Sequence, residues 1–131
     1  GYDEAIMLNM DGHVSEGTGE NIAIIKGNNI ISPSVSDNIL EGITLETALK
    51  IAKTDLSLDI ERRTIDRSEL YIADEVLMTG TAAHITPVIS IDKMNIGNGK
   101  PGPISKKLQE KYFAIIKGQD NDYDEWLTKI Y

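Results

Sequence analysis

Apolar residues arrive in short blocks through the first third of the chain, separated by polar pairs and glycines. Residues 5–8, 22–25 and 30–32 are strand-length runs, and 13–15 return as the partner of the first. The first pair is joined by Asn9-Met10-Asp11-Gly12, whose Asp-Gly step favours a tight hairpin turn. Gly27-Asn28-Asn29 makes a second turn, and Pro33 stops the strand after it. Such a run of hairpins predicts antiparallel pairing. Residues 16–21 form a polar, glycine-bearing loop between them.

The period then changes. Residues 34–42 read as loop, after which Leu45, Ala48, Leu49 and Ala52 share one helical face, with Thr44 as the expected N-cap. Residues 58–65 predict a strand. Asp66 with Glu69 three residues on forms a capping-box pattern at the start of a short helix. Residues 75–79 predict another strand. Residues 85–91 predict a further one, placed partly at an edge by Pro87. After a loop over 95–103, Ile104, Leu108, Tyr112 and Ile115 mark the stripe of a last helix. Residues 119–131 read as an acidic tail anchored by Trp126 and Leu127. Strands mixed with helices predict α/β or α+β architecture.

The length, 131 residues, suits one domain, and 40% hydrophobic with 26% charged residues suits a globular one. The balance of 13 basic to 21 acidic residues, net −8, argues against nucleic acid as a partner, because phosphate binding needs a basic face. No cysteine is present, which removes disulfides and thiolate chemistry and fits a reducing, cytoplasmic setting. No apolar run approaches the roughly 20 residues that span a bilayer, so no membrane partner is expected. The chain opens on Gly1-Tyr2-Asp3-Glu4 without Met, as expected for a piece of a longer or processed protein.

Candidate chemistry sits on glycine-bearing turns. Gly42-Ile43-Thr44 opens a helix, where amides and the helix dipole favour an anion; an ordinary capped helix start is the alternative. Thr79-Gly80-Thr81-Ala82 ends a strand in the same manner. Gly17-Thr18-Gly19 lacks the third glycine and the following helix of a dinucleotide fingerprint. Glu16 is placed either to pair with a cationic ring nitrogen or as a solvated turn acid. Glu20-Asn21 fits loop-tying hydrogen bonds better than ligand contact. His13 and His84 have no ligand-like spacing, so no metal site is expected, and His84 reads as packing or surface. Lys106, Lys107 and Lys111 read as a solvated helix face.

Five segments in register carry a resemblance. They are Gly12-His13-Val14-Ser15-Glu16-Gly17-Thr18-Gly19-Glu20-Asn21-Ile22, Ile39-Leu40-Glu41-Gly42-Ile43-Thr44, and Leu70-Tyr71-Ile72-Ala73-Asp74-Glu75-Val76. Thr79-Gly80-Thr81-Ala82-Ala83-His84-Ile85-Thr86-Pro87-Val88 and Gly97-Asn98-Gly99-Lys100-Pro101-Gly102-Pro103-Ile104 complete the set. Together they resemble the C-terminal domain of the branched-chain amino acid aminotransferases, fold type IV enzymes that use pyridoxal 5'-phosphate. The resemblance implies an α/β fold whose mixed sheet is partly closed as a barrel with flanking helices. It implies that residues 1–131 are a single domain, the C-terminal cofactor-binding part of a longer aminotransferase.

The resemblance also implies site roles. Glu16 meets the cofactor's pyridine nitrogen and Leu40 packs on its ring. Ile43 and Thr44 hold the phosphate, joined by the Thr81 hydroxyl. The amides of Thr81 and Ala82 hold the substrate carboxylate. The family's Schiff-base Lys lies before the matched segment, so no catalytic residue is expected in this chain, and the isolated chain is expected to be inactive. Implied partners are branched-chain amino acids and 2-oxo acids, the N-terminal domain of the same enzyme, and further copies in a homo-oligomer. His84 departs from the family's usual Glu, and Ala23 from a larger apolar residue. Other fold type IV enzymes remain open, namely D-amino acid aminotransferases and aminodeoxychorismate lyases, as does a non-catalytic domain of this fold.

Overall fold

A computed structural model describes residues 1–128. Nine strands and three α-helices follow one another among these residues as β1 (Ile6–Leu8), β2 (Val14–Gly17), β3 (Asn21–Lys26), β4 (Asn29–Ser32), α1 (Ile43–Leu56), β5 (Asp59–Arg62), α2 (Arg67–Ile72), β6 (Glu75–Gly80), β7 (His84–Val88), β8 (Ser90–Ile91), β9 (Met94–Asn95) and α3 (Pro103–Ile116). The centre is a five-stranded sheet in the order β5-β4-β3-β6-β7. All its pairs are antiparallel except β4 with β5. A parallel pair needs a crossover, and α1 is that crossover.

The uninterrupted apolar run of β3 has a simple cause: both faces of the sheet are covered. Ala23 and Ile25 of β3, Ile30 of β4 and Leu77 of β6 pack against Leu45, Ala48, Leu49 and Ala52 of α1 and Leu108 and Ile115 of α3. Ile22, Ile24, Ile31 and Val76 point the other way, onto Val14, Ile65, Leu70 and Ile96. Burying one such aliphatic side chain contributes about 1.5–3 kcal/mol. The sheet is therefore fixed from both sides.

The α/β class and the hairpins match the pattern-based expectation. Pro87 lies in β7, an edge strand, where proline is best tolerated in a sheet. Glu69 closes its half of the capping box by accepting from the Asp66 amide at 2.8 Å. Four details differ. The five-stranded sheet is open, with β5 and β7 as free edges, so the described residues do not close a barrel. The N-cap of α1 is Gly42, not Thr44, which lies inside the first turn. The polar loop shrinks to residues 18–20, because Glu16 and Gly17 belong to β2 and Asn21 to β3. Residues 90–95 add a small ribbon that was too short to read by period.

The tail also differs. Its buried anchor is Tyr123, only 5% exposed, while Trp126 is half-buried; residues 129–131 of the expected acidic tail lie outside the described residues. The Tyr123 hydroxyl donates to Asp55 at 2.7 Å, and Lys111 bridges Asp55 and Asp120, so Lys111 does more than solvate its helix. Burial, and then the hydrogen bond to Asp55, push the Tyr123 phenol up to about 12. A raised folded-state value means that the stabilising contribution is whole below the ordinary value of 10.0 and is lost as pH rises through 12. An ultraviolet tyrosine titration is expected to show one phenol ionising above the rest, absent in Tyr123→Phe. A Tyr123→Phe profile identical to the parent would place the tail elsewhere.

Candidate functional site

The candidate residues gather at the end of the sheet where β3 begins and β6 finishes. In the β3–β6 ladder Asn21 lies opposite Thr79. Glu16, half-buried in β2, accepts at one oxygen, Oε2, from the Leu40 amide at 3.0 Å and from Asn21 Nδ2 at 3.3 Å. Asn21 Nδ2 also donates to the Leu40 carbonyl at 2.7 Å. The Ser15 hydroxyl donates to the Asn38 carbonyl at 3.1 Å. These bonds strap residues 38–42 across β2 and β3. Asn21 thus ties the loop, and Glu20 Oε2 accepts from the Gly19 amide at 3.2 Å, as their residue types suggested. The second oxygen of Glu16 accepts nothing among the described residues.

Gly42 is required by close approach: an ideal Cβ there would stand 2.2 Å from Asn21 Oδ1. Having no side chain, it cannot cap α1, and no side-chain cap is present. The amides of Ile43, Thr44 and Leu45 make no hydrogen bond among the described residues. Helix ends normally satisfy such amides with side chains, water or a ligand. Thr44 is buried, whereas Ile43 and Leu40 are 86% and 78% exposed. Exposure of two large aliphatic side chains at one rim is the opposite of what their chemistry favours.

The second turn reaches the same end through β6. A Cβ on Gly80 would meet the Gly19 carbonyl at 3.2 Å and Glu20 Cγ at 3.3 Å, so the 18–20 loop lies against the base of the Thr81–Ala82 turn. Glu16, Leu40, Gly42 and Asn21 are in direct contact. Thr81 and Ala82 join them through Gly80 and Thr79. No hydrogen bond links Thr44 to Thr81; Asn21 is what stands between their elements.

Asp37 escaped the sequence reading. It is buried in a 3-10 turn over Val35–Asp37 and accepts from the Ser34 amide and hydroxyl, Asn9 Nδ2 and the Thr64 hydroxyl. Burial pushes its carboxyl up, but the hydrogen bonds from Ser34 and Thr64 outweigh that, and the net direction is downward. Ser34, three residues ahead, was the available signal. His13 pairs with Asp66 at 3.0 Å, away from the site.

Two clefts border this region, and of the candidate site residues only Ile43 lines one of them. One of about 660 Å³ runs between the first six residues, α2 and residues 86–93; another of about 650 Å³ follows α1 from Ile43 to Trp126. Glu16, Thr81 and Ala82 line neither. They form an open face. That face offers a carboxylate oxygen and three helix-start amides without partners among the described residues, and two glycines in close approach, Gly42 to the Asn21 side chain and Gly80 to the Gly19 carbonyl. This donor and acceptor set fits pyridoxal 5'-phosphate, with its phosphate and protonatable ring nitrogen.

Comparison with known proteins agrees. The amino-transferase class IV family matches residues 1–91. A probable branched-chain-amino-acid aminotransferase of Aquifex aeolicus (strain VF5) is 54% identical over the whole chain, which covers 42% of that relative. The branched-chain-amino-acid aminotransferase of Escherichia coli (strain K12) is 39% identical over 99% of the chain, again 42% of the relative. The chain therefore spans less than half the length of the curated relatives it matches. The PLP form of the branched-chain amino acid aminotransferase from Thermobaculum terrenum superposes with a TM-score of 0.94 at 42% identity, over 98% of this chain and 42% of that one. The branched-chain aminotransferase of the thermophilic archaeon Thermoproteus uzoniensis, solved with norvaline, gives 0.93 at 47% identity, over 100% and 43%.

Proposed function

The chain belongs to the class IV amino-transferases, and from that premise we propose that it is the cofactor-holding, C-terminal domain of a branched-chain amino acid transaminase. The whole enzyme would move the amino group between Leu, Ile or Val and 2-oxoglutarate. The observation that carries the reading is the bridge Glu16–Asn21–Leu40, which sets an acid with one free oxygen beside the uncapped start of α1.

Pyridoxal 5'-phosphate, when bound, supplies an electron sink for the pair left at the amino acid's Cα. The chain's own residues bind and orient. Glu16 would hold the proton at the ring nitrogen. Ile43, Thr44 and the Thr81 hydroxyl would hold the phosphate, where the helix dipole adds about 0.3–1 kcal/mol. Leu40 would pack on the ring and exclude water. The amides of Thr81 and Ala82 would hold the substrate carboxylate. The Lys that attaches the cofactor and shuttles the proton is proposed to come from an N-terminal domain, and no catalytic residue is assigned to this chain. The exposed Leu40 and Ile43 fit cover by that domain or by another copy in a cytoplasmic homo-oligomer. No helix among the described residues is long and apolar enough to cross a membrane.

The test is glutamate formation from 2-oxoglutarate with Leu, Ile, Val or D-Ala. The full-length protein is expected to turn over the three L-amino acids at about 1–1000 per second, and this chain alone not at all. Preference for D-Ala would move the assignment to the D-amino acid enzymes. Turnover by the isolated chain would overturn the placement of the Lys.

A further inference from the structure

We infer that His84 is a positioning residue that holds the Thr81–Ala82 turn by an aromatic clamp on α3. The inference rests on the proposed function only for what the turn binds. His84 has a φ of 54°, in the left-handed region that only a few per cent of residues other than glycine adopt, Asn, Asp and His more often than the rest. Asn38 and Ser57 do so as helix C-caps. His84 instead opens a strand, paired with Gly80 across a three-residue turn.

What keeps it there lies on the helix. The His84 ring stands 5.3 Å from Phe113 and 5.9 Å from Tyr112, centroid to centroid, and those two rings are 6.0 Å apart. These are attractive tilted geometries. Nδ1 of His84 is buried and makes no hydrogen bond among the described residues, so the ring is held there by its faces and not by its polarity. One turn earlier on α3, Gln109 Nε2 donates to the Ile85 carbonyl at 2.8 Å. The Thr86 hydroxyl donates to the Ala83 carbonyl at 2.6 Å. The far end of the turn rests on the 18–20 loop through Gly80. Residues 81–83 are thus gripped at both ends, while Thr81 and Ala82 themselves are exposed. A turn so held presents its amides already oriented, and a carboxylate that binds them orders nothing.

The test uses the full-length protein and three variants. His84→Gly keeps the left-handed φ without strain and deletes the ring. Phe113→Leu removes the clamp from the helix side. His84→Phe keeps the ring and drops the nitrogens. Amide exchange of residues 80–86, measured without added cofactor, is expected to rise about tenfold in His84→Gly and Phe113→Leu and to stay near the parent in His84→Phe. KM for Leu and for 2-oxoglutarate, which share the carboxylate, should rise together, with kcat little changed; His84→Phe should restore both. Unchanged exchange in both ring-deleting variants overturns the clamp. Raised exchange with unchanged KM overturns the positioning role. A parent protein without transamination instead refutes the proposed function, and exchange then decides the clamp alone.

Discussion

Glu16→Gln in the full-length enzyme is expected to lower kcat about ten- to hundredfold, with a smaller loss of cofactor affinity. The geometry makes this substitution unusually clean. Leu40 and Asn21 both donate to the same oxygen of Glu16, so glutamine can keep both bonds and the loop stays strapped. What changes is the other terminus. A carboxylate oxygen that would accept a hydrogen bond from the protonated ring nitrogen becomes an NH₂ group that would donate against it. A hydrogen bond to a charged group contributes about 1.5–3 kcal/mol, and 1.36 kcal/mol is about tenfold in rate. The phosphate contacts proposed at α1 would be untouched, which is why affinity should fall less. Steady-state kinetics with Leu and 2-oxoglutarate, beside a cofactor titration, measure both. Near-parental turnover would leave Glu16 as a loop tie only.

Glu75→Ala is expected to lower the Tm of the full-length protein by about 6–12 °C, taking about 2–4 °C per kcal/mol. Glu75 opens β6 and is buried, with Oε1 accepting from the Ile104 amide at 2.9 Å and Oε2 from the Ser105 amide at 2.7 Å. The N-cap of α3 is Gly102, which has no side chain to do this; a Cβ there would lie 2.1 Å from Glu75 Cδ. The strand therefore caps the helix. Alanine leaves two amides unsatisfied and a void beside them, a loss of about 3 kcal/mol from a total of about 5–15 kcal/mol. Glu75→Gln should lose less, since one oxygen remains. A change under about 2 °C for alanine, within the effect of an ordinary surface substitution, would mean that water replaces the carboxylate without cost.

Periodicity made α1 and α3 legible, because each buries one face whose spacing is written in the chain, and β3 stood out as an unbroken apolar run between turn residues. The five motifs likewise made Glu16, Leu40, Ile43, Thr44, Thr81 and Ala82 candidates. What stayed hidden was contact at a distance. Glu75 reads as an ordinary strand residue until α3 is placed on it. Gly42 reads as a loop residue until Asn21 occupies the space its Cβ would need. Thr44 has the right chemistry for an N-cap, but the helix begins one residue before it, since Asn21 admits only glycine at the cap. Asp37 sits in a stretch with no period, and its partners Asn9 and Thr64 are 28 and 27 residues away.

The crossover role of α1 bears on the order of assembly. Hairpins such as β3–β4 join neighbours in sequence and close in about 1–10 μs. Pairing Asn29–Ser32 with Asp59–Arg62 requires the intervening chain, α1 included, to be laid across the sheet first. Contacts that distant in sequence form later. The open amides at the start of α1 therefore come into register with Glu16 as α1 is laid down, and the slow, parallel pairing then locks them there. A chain caught with its hairpins formed and α1 undocked would have the residues of the proposed anion site but not the site. A ligand that binds the finished arrangement alone would draw such chains forward by mass action, so cofactor present during synthesis is expected to raise the yield of folded protein.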